Sequence, residues 1–83
     1  MGKLTKLIEK FLRDPSELSY DDVYYLLTNF GFQEVSIKVS HHSFRNDAGI
    51  KITVPKNGGK TVKRTYLKQI VILLKLEEYN NDN

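Results

Sequence analysis

Up to Gly31 the apolar residues fall at helical spacing, between Phe32 and Pro55 they alternate, and after Thr61 the helical spacing returns. That switch of period, from 3.6 to 2 and back, constrains the fold most, because one stretch of chain cannot satisfy both. Leu4, Leu7, Ile8, Phe11 and Leu12 form one stripe of an amphipathic helix. Asp14-Pro15 ends it, since proline disfavours helical geometry in the residue before it. Ser19 opens a second helix, because SYDD has the form of a capping box, a hydroxyl followed three residues later by an acid. Val23, Leu26, Leu27 and Phe30 make its buried stripe, and Gly31 supplies a left-handed stop.

Residues 32–39 alternate more loosely and read as a strand with Val35, Ile37 and Val39 facing inward. Residues 41–46 and 50–54 flank Asp47-Ala48-Gly49, a short connection whose glycine can take positive φ. Pro55 ends the third strand, and KNGGK at 56–60 is a flexible loop. Thr61 is placed to cap a last helix with Val62, Tyr66, Ile70, Val71 and Leu74 on one side. The order is α-α-β-β-β-α, an α+β fold in which a three-stranded antiparallel sheet carries its helices on one face. Residues 1–83 read as one domain, with a polar, frayed tail over 80–83.

A domain of this size buries only about 60% of its unfolded surface, so any chemistry sits on the surface or in a shallow groove. The chain has no cysteine, which excludes disulfides and thiolate metal sites. The first residues are amphipathic and charged, unlike a signal peptide, and IVILL at 70–74 is far too short to span a bilayer. The expectation is a cytoplasmic protein with no membrane contact. Residues 1–37 carry net −2, whereas residues 38–75 carry net +8, with Asp47 their only acid. That asymmetry points to an anionic partner for the second half, nucleic acid first among the candidates.

The two histidines, His41 and His42, stand side by side at the mouth of the hairpin. They act in a wider pattern: GFQEV at 31–35, SHH at 40–42, Phe44-Arg45, an acid-to-glycine turn at 47–49, TVP at 53–55 and GKTVKRTYLKQI at 59–70. Over residues 19–76 this set resembles the HicA toxins, metal-independent ribonucleases of bacterial toxin–antitoxin pairs. The resemblance implies a double-stranded-RNA-binding-like α-β-β-β-α core, preceded here by an N-terminal helical extension over 1–18. It also implies mRNA as substrate, a HicB-type antitoxin as partner, and no metal or small-molecule cofactor. Two positions depart from the pattern: Val39 stands where the family usually has glycine, and Asn57 where it often has histidine.

Cleaving RNA without a metal needs a base for the ribose 2′-OH and an acid for the leaving 5′ oxygen. An imidazole, titrating near about 6.5, can serve as either near neutral pH. The resemblance implies one catalytic histidine in this element. Strand alternation puts His42 with Phe44 and puts His41 with Ser43 and Arg45. Since Phe44 belongs under the helices, His41 is the expected base. His42 would replace it if a bulge at the strand start exchanged the two. A metal site is a weak reading, because adjacent strand residues point to opposite faces and no third ligand lies nearby.

The candidate RNA contacts are Ser40, Arg45, Lys51, Lys56, Lys60, Lys63 and Arg64. Lys63 and Arg64 fall at a helix start, where bases are locally unfavourable and a bound phosphate would offset the repulsion. The resemblance implies that this helix end grips phosphate. The alternatives are a non-catalytic double-stranded-RNA-binding module, or a protein-interaction domain indifferent to charge reversal at Lys63 and Arg64.

Overall fold

A computed structural model describes residues 2–80. The chain runs α1 (Lys3–Leu12), β1 (Glu17–Ser19), α2 (Tyr20–Asn29), β2 (Gln33–Lys38), β3 (His41–Arg45), β4 (Lys51–Pro55), β5 (Thr61–Lys63), α3 (Arg64–Leu74) and α4 (Leu76–Asn80). β2, β3 and β4 form an antiparallel sheet with β3 in the centre, and the α+β fold is the one expected. The tail beyond Asn80 lies outside the described residues.

The helical stripes place the core. Leu7, Ile8 and Phe11 of α1 are buried with Val23, Leu26 and Leu27 of α2, Leu67 and Ile70 of α3, and Phe44 and Val54 of the sheet. The N-terminal helix is thus part of the packing, not an appendage. Ser19 caps α2 as expected, its hydroxyl accepting from the Asp22 N–H at 3.1 Å. Gly31, at φ 90°, turns the chain out of α2 into β2.

Two expectations are corrected, and the last helix carries a break. Thr61 does not cap the last helix. It pairs with Ser19 in a short antiparallel ribbon, β1 with β5, and Lys63 is the N-cap residue. The last helix breaks at Lys75, in left-handed geometry at φ 53°, and a fourth helix buries Leu76. Val35, Ile37 and Val39 do not line the core, being 52%, 56% and 97% exposed. For Val35 the cause is a bulge in β2. Glu34 pairs with Phe44 and Ser36 with Ser43, so Val35 is an extra residue and the alternation inverts around it. Ile37 then falls on the helix side but at the open edge of the sheet, and Val39 sits in the turn.

Candidate active site and basic surface

β3 carries no bulge of its own, and its alternation is therefore as read from the sequence. His42 and Phe44 turn toward the helices, with the Tyr20 ring 4.4 Å from His42 and 6.4 Å from Phe44, centroid to centroid. His41 and Arg45 are exposed on the other face. The register sets Lys38 and Pro55 beside His41, Ser36 and Thr53 beside Ser43, and Gln33 and Lys51 beside Arg45. Between them, Ser43 and Thr53 share a hydroxyl hydrogen bond at 3.2 Å. His41 therefore stands on an open sheet face among small hydroxyls and bases.

His42 has a different environment. The β2 bulge rotates Glu34 to the helix side, where its Oε2 lies 2.6 Å from His42 Nδ1. The Tyr20 hydroxyl donates to the same oxygen and also lies 3.0 Å from Nδ1. A carboxylate only accepts, so Nδ1 carries the proton of this hydrogen bond. Burial would raise the Glu34 pKa, but hydrogen bonds from Tyr20 and His42 and the charges of His42 and Lys56 outweigh it and lower it below 4.5. Burial and the neighbouring carboxylate push the Tyr20 phenol well above its ordinary value, so it stays a donor. Lys56 Nζ covers the Tyr20 ring at 4.5 Å. The group ties α2, β2, β3 and the loop after β4 together immediately behind His41.

The turn that presents His41 is strained. Val39 and Ser40 form a two-residue connection, and Val39 adopts φ 57°. Two-residue hairpins use glycine at such positions, and a β-branched residue there is an outlier costing about 1–3 kcal/mol. The strands hold the turn regardless. The Lys56 N–H donates to the Ser40 carbonyl at 2.7 Å, extending the β3–β4 pairing to the tip.

The candidate phosphate ligands divide into two sets. Arg45, Lys51, Lys56 and Lys60, and with them Lys38 beside His41, have no carboxylate within ion-pair distance among the described residues. Lys63 and Arg64 have one each: Lys63 Nζ lies 3.6 Å from Glu17 Oε1, and Arg64 Nε lies 3.5 Å from Asp14 Oδ1. Lys68 Nζ approaches the same Asp14 oxygen at 4.0 Å. The unfavourable placement of bases at the α3 start is thus met, at least in part, from within the chain. All of these groups are about half exposed, so each pair contributes at most about 1 kcal/mol.

Sequence reasoning did not find Tyr20, Glu34, Asp14 or Glu17. A signal for them exists: residues 14–34 hold Asp14, Glu17, Asp21, Asp22 and Glu34 and no lysine or arginine. Averaging residues 1–37 hides this run behind the bases of α1. Among the described residues no group of three or more His, Cys, Asp or Glu could hold a metal ion. No helix of the described chain is long and apolar enough to cross a membrane.

The family model described as the HicA toxin of bacterial toxin–antitoxin systems matches residues 20–77, which runs from the start of α2 into the first residues of α4 and includes both histidines. No curated protein and no solved structure matches the chain significantly. The match covers well over half of the sequence and agrees with the element order and with the SHH hairpin; the chain belongs to the HicA toxin family.

Proposed function

We propose that this toxin is an endoribonuclease that cleaves mRNA, with His41 as the general base, and that a HicB-type antitoxin silences it. The observation that carries the reading is the placement of His41, exposed on the sheet face it shares with Lys38, Arg45 and Lys51, none of which has an ion-pair partner among the described residues. RNA lies across this face with a phosphate between Arg45 and Lys51. Lys60 continues the track along the loop toward α3 and Ser40 offers its hydroxyl at the turn, whereas Lys56, over the Tyr20 ring, lies behind the sheet.

His41 takes the proton from a ribose 2′-OH. The 2′ oxygen forms a bond to phosphorus, the P–O5′ bond breaks, and the 5′ oxygen takes its proton from water at this open face. The products are a 2′,3′-cyclic phosphate and a 5′-hydroxyl. A positioned imidazole contributes about 10²–10⁴-fold to such a step. His42 is the other candidate, but its side chain is only 10% exposed and its Nδ1 is committed to Glu34. On this reading it anchors the strand and does not touch substrate.

The basic face is also the surface an antitoxin would mask, since acidic side chains can stand in for phosphate. The second reading, a non-catalytic double-stranded-RNA-binding module, draws on Val39: a β-branched residue stands at a positive φ where the family usually has glycine. Induced expression separates the two. Growth arrest with loss of mRNA, abolished by His41→Ala and kept by His42→Gln, is the expected result. RNA binding without cleavage by the wild type would favour the module, and arrest undiminished by His41→Ala would remove His41 from its role.

A further inference from the structure

The α3 start holds Lys63, Arg64 and, one turn on, Lys68, a basic cluster at the end of the loop that leads from His41. On charge alone it should be the strongest phosphate ligand in the molecule. Its cations, however, already face oxyanions. Asp14 Oδ1 reaches both Arg64 and Lys68, while Glu17 Oε1 reaches Lys63 and accepts from the Thr61 hydroxyl at 3.1 Å. The arrangement is fixed by backbone as well as by charge. Glu17 lies directly across from Lys63 in the β1–β5 ribbon, the Arg64 N–H donates to the Ser16 carbonyl at 2.9 Å, and the Tyr20 N–H donates to the Lys60 carbonyl at 2.8 Å. Asp14 and Glu17 both precede the stretch that matches the family, residues 20–77.

We propose that Asp14 and Glu17 limit the RNA affinity of this toxin by occupying, with their own carboxylates, the cations at the α3 start. The inference rests on the ribonuclease reading above and adds to it the residues that set how tightly substrate is held. A phosphate arriving at Lys63 and Arg64 has to displace a carboxylate and gains little from counterion release, because those cations are already neutralised. RNA is thereby retained chiefly by the hairpin face, where His41 is. Exposed pairs of this kind are weak enough to be exchanged rather than locked, so the effect is one of degree.

The test is fluorescence anisotropy of a labelled RNA hairpin on the full chain carrying His41→Ala, so that the probe is not cut. Asp14→Asn and Glu17→Gln together remove the two charges while keeping side-chain shape, and glutamine can still accept from Thr61. Asparagine also tolerates the left-handed backbone of Asp14, at φ 57°. The pair is expected to bind about three- to tenfold more tightly, with a steeper salt dependence. In a Lys63→Gln, Arg64→Gln background the same two changes should give no gain. Binding that is unchanged or weaker, beside normal wild-type binding, overturns the inference and leaves the nuclease reading standing. A gain of equal size in both backgrounds also overturns it, since net charge would then be the cause. Failure of every form to bind RNA overturns both. Circular dichroism of each variant separates a loss of fold from a loss of affinity.

Discussion

The outer face of the hairpin and the start of α3 are both basic, yet only the second has its charge met from within the chain. Lys38, Arg45 and Lys51 stand on a sheet face with no carboxylate of the described residues in reach, and His41 stands among them. Lys63, Arg64 and Lys68 face Asp14 and Glu17. Counting charge along the sequence would rank the helix start above the hairpin. Counting unpaired charge in space reverses the order. Charge available to a ligand is what remains after the fold has used its own acids, and long-range pairing such as β1 with β5 decides that remainder.

The sharpest break between the two regions is expected at His41. His41→Ala should lower RNA cleavage by about 10²–10⁴-fold with little change in RNA binding, measured as single-turnover cleavage of a labelled RNA. Reversing charge at Lys63 and Arg64 should cost cleavage far less than reversal at Arg45 and Lys51, and equal losses would erase the distinction drawn here. Next in size is the support behind the hairpin. Glu34→Ala removes the charged acceptor that the Tyr20 hydroxyl and His42 Nδ1 share, leaving those two buried groups only each other to bond with, and should destabilise the fold by about 1–3 kcal/mol in urea unfolding.

The same carboxylate gives a pH dependence. Glu34 has its pKa lowered on folding, so its contribution is present above 4.5 and is lost as pH falls through the lower, folded value. Acid unfolding followed by circular dichroism should show this loss in the wild type and not in Glu34→Gln. The smallest effect is at the turn. Val39→Gly relieves the positive φ but adds freedom to the unfolded chain, and should leave the protein more stable by about 1 kcal/mol. A loss of stability would mean that the exposed valine makes a contribution that its conformation does not suggest.

Much of this was legible in the sequence because the signals were local. The stripes of α1 and α2, the Ser19 cap and the opposite facing of His41 and His42 each follow from a few neighbouring residues. What escaped was non-local or unmarked. The bulge at Val35 has no compositional sign in QEVSIK, yet it decides that Glu34 meets His42 and that Val35 does not enter the core. The three-residue strands β1 and β5 are too short for periodicity to reveal and depend on residues more than forty positions apart. The break at Lys75 uses left-handed geometry without glycine, so nothing announced it.

The central claim is that unpaired charge beside His41, and not the charge at the α3 start, holds the RNA. The salt dependence of binding tests it most directly, with a labelled single-stranded RNA on the His41→Ala protein. Arg45→Gln with Lys51→Gln should flatten the slope of log K against log salt by about 1.4, the loss of two phosphate contacts, and Lys63→Gln with Arg64→Gln by less than half as much. Equal flattening by the two pairs, or greater flattening by the second, would contradict the account.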